Sequence, residues 1–303
     1  MESILHWGVD VILWLQQLSP EWDLPFMVLT HMGGEPFFLV LIPLLYWCVD
    51  RRTGARLSVL FLLAAYANAA AKILASQPRP FDFNPQVRRL VEAGGRGFPS
   101  GHTQNSVVFW GYLARQYRRP WLWIVAVALM VLVPLSRVYL GVHFPTDLLG
   151  GYLLGVCLLL LYFRLEPVVE RWLTGKGPAW HMGLAVAVPV LLALVYPGGE
   201  KHGISACGML MGMAVGFVLE RRWVGFDSDG ATSKRLLRFV LGETVLFCLW
   251  LGLKPLLSVH EPEAFYRFLR YSLMGLWGGL GAPWVFVRLR LANGSHLAVF
   301  RHH

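Results

Sequence analysis

Apolar runs near residues 34–50, 55–75, 100–116, 120–138, 146–164, 178–197, 203–220, 235–257 and 268–289 divide most of this 303-residue chain. Each is near the ~20 residues that a helix needs to cross a bilayer. In hydrocarbon every backbone N–H and C=O must be satisfied within the segment, so runs of this length predict helices. Composition agrees: the chain is 56% hydrophobic and 15% charged, whereas soluble domains are about one quarter charged. The expected fold is therefore all-α, a polytopic membrane helix bundle of about nine transmembrane spans. Residues 3–18 (SILHWGVDVILWLQQL) alternate apolar and polar side chains at helical spacing and carry Trp7 and Trp14. They predict an interfacial helix lying on the membrane, with a tenth crossing as the alternative. No segment reads as a cleaved signal peptide.

The formal net charge is +9. It does not point to nucleic acid, because the basic residues fall in short clusters between apolar runs, where they set topology. One set of loops carries Arg51-Arg52-Arg56, Arg115-Arg118-Arg119, Arg164-Arg171-Lys176, Arg221-Arg222, Lys234-Arg235-Arg238 and Arg288-Arg290-Arg301, which is 17 of the 27 Lys and Arg residues. The opposite set holds the other 10, including Lys72, Arg79 and Arg137. The richer side is expected in the cytoplasm, together with the C-terminus. Cys48, Cys157, Cys207 and Cys248 lie in or beside apolar runs without metal-ligand spacing, and are read as packing residues.

Three short stretches at the ends of the apolar runs carry chemistry. The first is Lys72, six residues, then Arg79-Pro80; the second is Pro99-Ser100-Gly101-His102; the third is Ser136-Arg137, five residues, His143, three residues, Asp147. Charged groups beside a membrane core are costly and mark function. All three stretches reach the same membrane face, opposite the richer basic side. A transferring phosphoryl group spreads charge over three oxygens. Arg79 and Arg137 can grip two oxygens each, and Lys72 adds a point charge. Ser100-Gly101 opens an apolar run, where the free amides of a helix N-terminus bind anions and glycine lets the backbone come close. Two histidines divide the proton work. His143, with Asp147 four residues on, suits a nucleophile whose second ring nitrogen is oriented by a carboxylate, and His102 suits a general acid. Pro145 is expected in the first helical turn, so His143 can lie just before the helix. Three cations around the histidines would repel a metal ion, so no metal site and no cofactor is expected.

This pattern resembles the type 2 phosphatidic acid phosphatase (PAP2) superfamily, with every residue of its three signatures in place from 72 to 147. The resemblance implies a metal-independent phosphatase. Its implied catalytic residues are His143, His102 and Asp147, and its phosphate-binding residues are Lys72, Arg79, Ser100, Gly101 and Arg137. The nine-span plan is similar to glucose-6-phosphatase, and Gly33-Gly34-Glu35-Pro36-Phe37 with Trp47-Cys48-Val49-Asp50 looks like the sphingosine-1-phosphate phosphatase group. Three regions follow: an N-terminal interfacial segment (1–33), a PAP2-like catalytic core (34–165) and a four-span extension (166–303). The expected substrate and partner is a lipid phosphate, polyprenyl or other, among membrane lipids. The expected location is a bacterial inner membrane with the site on the periplasmic face. Lipid phosphotransfer through the same phosphohistidine, a sphingoid-base or sugar phosphate substrate, and a lipid transporter remain as alternatives.

Other features are less directive. Gly208, Gly212 and Gly216 recur every four residues and suit close helix packing, either within the chain or in a homo-oligomer. Glu243 inside the eighth run is expected to pair with a basic residue such as Arg238, or to touch substrate. Asp227-Ser228-Asp229-Gly230 starts like a calcium loop, but Arg238 stands where a bidentate Glu is needed, so it reads as a turn. Residues 76–98 form a long loop with Arg88, Arg89 and Arg96, either a lid, a headgroup-binding segment or a solvated connector. Asn68 is read as packing or as support for Lys72. His31, His181, His202 and His260 read as interfacial or loop residues, and His296, His302 and His303 as a polar tail.

Overall fold

The structure, a computed structural model, describes residues 2–198, 201–257 and 263–295. Arg301, His260, His296, His302 and His303 lie outside them. The described residues are helical, with one isolated bridge between Phe226 and Gly294 and no strand among them. The chain forms α1 (Glu2–Leu15), α2 (Asp23–His31), α3 (Glu35–Leu44), α4 (Arg51–Ala75), α5 (Pro80–Phe83), α6 (Gly101–Tyr117), α7 (Pro120–Tyr139), α8 (Pro145–Thr174), α9 (Pro178–Leu194), α10 (Lys201–Trp223), α11 (Thr232–Leu257), α12 (Glu263–Leu276) and α13 (Ala282–Arg288).

A helix stands at each of the nine expected spans, but not all are long and apolar enough to cross. The segment 51–83 and helices α7, α8, α10 and α11 pass on length and composition, and the bent pair 23–31 with 35–49 would make a sixth. Among the described residues, length and composition thus support five or six spans and do not confirm nine. The reasons are local. Helices α6 and α9 have 17 residues each, about 26 Å against ~30 Å of hydrocarbon, and α6 opens with the polar run Thr103-Gln104-Asn105-Ser106. The run at 268–289 is interrupted by a π-helical turn at Trp277–Gly281. The first helix, with 14 residues, is only about 21 Å long, too short for a tenth crossing.

Two compact units are present. The first comprises residues 2–38, 67–165 and 197–198. Here α1 turns Val9 and Ile12 inward against Val87, Val138 and Phe144, while Phe26 of α2 packs on Tyr139, Leu140 and Val142. The outer face of the same segment exposes Trp7, Trp14 and Trp22. The side chain of Gln16 clasps the segment to the loop after α5: it donates to the carbonyls of Arg88 (2.7 Å) and Tyr139 (3.1 Å) and accepts from the Arg88 amide (3.1 Å).

The second unit comprises residues 39–66, 166–196, 201–257 and 263–295. Its core joins Tyr46, Trp47, Val224, Phe226 and Phe286. Trp47 donates to the Gly278 carbonyl at 3.0 Å, and Trp277 to that of Gly242 at 3.1 Å. The glycine stripe of α10 is used within the chain. A Cβ on Gly212 would lie 2.7 Å from the Leu276 amide and closer still to the Ser272 carbonyl, and one on Gly216 would meet Gly279 at 3.0 Å. A second copy could use this stripe only by displacing α12. The expected Arg238–Glu243 pair is not formed. Arg238 instead donates to the carbonyls of Asp227, Ser228 and Asp229 at 2.8–3.2 Å, holding those residues as a turn, while both Glu243 carboxylate oxygens are buried without a hydrogen-bond partner among the described residues. Basic residues at the start of α4 are paired: Arg51 with Glu220 at 3.1 Å, and Arg56 with Glu166 at 2.7 Å.

Candidate active site

All eight site residues expected from sequence fall in the first compact unit, at or beside the ends of five helices. Lys72 is in the last turn of α4, and Arg79 is the N-cap of α5 with Pro80 in the first helical position. Ser100 is the N-cap of α6, its hydroxyl accepting from the Thr103 amide, and Arg137 is in the last turn of α7. His143 lies in the short connection to α8, and Asp147 in the first turn of α8.

The pairing of His143 with Asp147 comes from helix capping rather than from one helical face. Pro145 starts α8, so His143 precedes the helix. Asp147 accepts from the Phe144 amide at 2.9 Å, as a third-position carboxylate does in a capping box. The same oxygen meets His143 Nδ1 at 3.0 Å, and the other accepts from the Gln77 amide nitrogen at 2.8 Å. The Asp147 carbonyl accepts from the Ser100 amide at 2.9 Å, which ties the start of α8 to the start of α6.

With Nδ1 facing a carboxylate, His143 presents Nε2, and Arg79 Nη1 stands 3.5 Å from it. Burial pushes the His143 imidazole well below its ordinary pKa, and the charges of Lys72, Arg137 and Arg79 and the nearby His102 add to this. The ring is thus held neutral, with the Nε2 lone pair facing Arg79 Nη1. His102 sits in the field of the same three cations.

Backbone carbonyls aim two of those cations. Arg79 donates from Nε to Gly95 (3.0 Å), from Nη2 to Gly94 (2.5 Å) and from Nη1 to Val142 (2.8 Å). Lys72 Nζ donates to the carbonyls of Arg96 (2.6 Å) and Gly97 (3.1 Å). Residues 94–97 of the loop 76–98 therefore hold these two site cations through their carbonyls, while Arg88, Arg89 and Glu92 are exposed. The loop's own arginines are engaged by protein: Arg88 by Gln16, Arg89 by Glu92 and the Phe81 ring, and Arg96 by the Ile73 carbonyl. At Gly101 the approach is close: a Cβ there would lie 3.1 Å from the Asn68 side-chain oxygen. Asn68 donates to Gln104 at 2.9 Å and so braces the start of α6 rather than Lys72. The amides of Gly101 and His102 lie outside the helix's own ladder.

The arrangement offers a neutral imidazole nitrogen, a second histidine, three cations and a helix N-terminus, which is a set suited to a phosphoryl group. Among the described residues no group of three or more His, Cys, Asp or Glu could hold a metal ion. Gln77 and the carbonyls of residues 94–97 have no assigned place in the sequence pattern. Gln77 was within reach, since it lies inside the spacer between Lys72 and Arg79.

Comparison with known proteins shows the family. The PAP2 superfamily description matches residues 53–171, and that of the PAP2 superfamily phosphatase transmembrane extension matches 204–294. Phosphatidylglycerophosphatase B of Bacillus subtilis is 31% identical over 48% of this chain and 75% of its own length. The chain belongs to the PAP2 superfamily. The undecaprenyl-diphosphatase of Sulfolobus acidocaldarius is 34% identical over 46% of the chain and 68% of its own length. Lipid phosphate phosphatase delta of Arabidopsis thaliana is 29% identical over 64% of the chain, which spans about half of that relative's length (50%). With its long apolar helices, this PAP2 chain is an integral membrane protein.

Proposed function

We propose that this PAP2 protein is a metal-independent phosphatase that hydrolyses a lipid-linked phosphate through a phosphohistidine on His143. The observation that carries this reading is the His143 ring, bonded to Asp147 through Nδ1 and facing Arg79 Nη1 with Nε2. Nε2 attacks phosphorus in line, the P–O bond to the lipid breaks, and His102, which takes up a proton once the bound phosphate's negative charge offsets the three cations, gives that proton to the leaving oxygen. Lys72, Arg79, Arg137 and the amides near Ser100 and Gly101 hold the phosphoryl oxygens as charge builds on them. Water then attacks the phosphohistidine, His102 takes its proton, and inorganic phosphate leaves.

A polyprenyl or other lipid phosphate or diphosphate is the substrate class supported by the names of the relatives. The clustering of Arg and Lys in one set of loops supports a site on the non-cytoplasmic face. The test is phosphate release by detergent-purified protein in EDTA, with polyprenyl diphosphate, phosphatidylglycerol phosphate, phosphatidic acid, sphingosine-1-phosphate and glucose-6-phosphate beside one another. Release from a lipid substrate that survives EDTA and is lost in His143→Ala is expected. Full activity in His143→Ala, or release that EDTA abolishes, contradicts the mechanism. Label passing to a lipid acceptor without free phosphate makes the protein a phosphotransferase.

A further inference from the structure

One cation of the site is not aimed by the loop carbonyls. Arg137 is buried, 5% exposed, and donates from Nη1 to the hydroxyl of Thr30 at 2.5 Å. Its Nε is buried without a hydrogen-bond partner among the described residues. Thr30, also 5% exposed, lies in α2. It is outside the three signature stretches and outside the residues that either family description matches.

We propose that Thr30 is the positioning residue of Arg137, and that α2 thereby forms part of the phosphate clamp. A guanidinium has two forked edges. By taking Nη1, Thr30 fixes the rotation of the plane and leaves the Nε–Nη2 edge to grip two phosphoryl oxygens. Arg79 is arranged the opposite way: its Nε–Nη2 edge is held by Gly95 and Gly94, and its Nη1 faces His143. One arginine is set at the nucleophile, the other at the oxygens. A hydroxyl suits this task better than a carboxylate, since it orients the guanidinium without neutralising the charge that the phosphate needs.

Thr30 is itself held against α7. Two residues beyond Arg137, Tyr139 donates to Asp23 at 2.6 Å and stacks on Phe26 with ring centroids 4.2 Å apart. Both partners belong to α2, so helix and arginine share one brace. Past the end of α2, Gly33 lies against the second histidine; a Cβ there would be 2.9 Å from the His102 Cδ2.

The proposal rests on the phosphatase reading, and its test separates the two. Thr30→Val keeps the shape and removes the hydroxyl, Thr30→Ser keeps the hydroxyl, and Thr30→Ala serves if valine does not fold. The readouts are kcat and KM on the lipid substrate that wild type turns over, inhibition by vanadate as a phosphate analogue, and the thermal midpoint. Thr30→Val is expected to lose roughly 10- to 100-fold in kcat/KM. Its vanadate inhibition should weaken in parallel at an unchanged midpoint, and Thr30→Ser should stay within a few-fold of wild type. In an Arg137→Lys background, Thr30→Val should add little, because the group it orients is gone. Unchanged kcat/KM and vanadate inhibition in both Thr30→Val and Thr30→Ala overturn the proposal, as does an equal further loss on top of Arg137→Lys. A wild-type protein that neither releases phosphate nor responds to vanadate removes the reading beneath it instead.

Discussion

At the scale of single residues, the site depends on side chains that serve two structures at once. Asp147 caps α8, receives Gln77 and orients His143. Asp147→Asn leaves most of that packing in place but presents an amide to the ring, which can then adopt the wrong tautomer. The expected result is a fall in kcat of roughly 10²- to 10⁴-fold, measured as phosphate release, with His143 and the fold otherwise intact. A loss under threefold would mean that Asp147 is only a cap. The eight motif residues were legible in the sequence because their types and spacings match one chemistry. Thr30 was not, because a lone threonine in an apolar helix carries no pattern; only the fold sets it beside Arg137. The partners of Arg79 and Lys72 were hidden for a related reason, since backbone carbonyls belong to every residue and identify none.

At the scale of elements, helix ends do the positioning and glycines set the distances. Ser100 and Asp147 cap adjacent helices and are joined through the Ser100 amide. In the second unit, Gly212 lets the backbones of α10 and α12 touch. Gly212→Ala sets a methyl group against the Ser272 carbonyl and the Leu276 amide. Backbone cannot turn aside as a side chain can, so overpacking of about 1–3 kcal/mol is expected, read as a lower unfolding midpoint in detergent. Gly183→Ala is the control, because nothing lies within 4 Å of the added carbon; its midpoint should stay level or rise. Equal midpoints for the two variants would contradict the close α10–α12 packing. The positions of the long helices were legible from apolar length alone. Their breaks were less so. The π-helical turns at Leu45–Val49 and Trp277–Gly281 lie inside continuous apolar sequence, where hydropathy does not change although the hydrogen-bond ladder does.

At the scale of the whole molecule, the clusters of Arg and Lys predict the orientation, and the expected site face follows from it. Single cysteines in a background without the four native ones test this. A cysteine at Arg89, in the loop after α5, is expected to react with a membrane-impermeant maleimide added to intact cells, and one at Lys176, between α8 and α9, only after permeabilisation. The reverse pattern would place the site in the cytoplasm. Apolar side chains such as Leu149, Leu153 and Leu160 stand exposed along α8, as a lipid-facing helix requires. The central claim is the covalent step on His143. Its most direct measurement is rapid quenching of the purified protein during turnover of a lipid substrate carrying radiolabelled phosphate, followed by mapping of the labelled peptide. The expected result is acid-labile, base-stable label on His143 in the wild type, increased when water attack is slowed by His102→Ala with an activated substrate, and absent from His143→Ala. Turnover with no label on His143 at any quench time, or label that persists in His143→Ala, would contradict it.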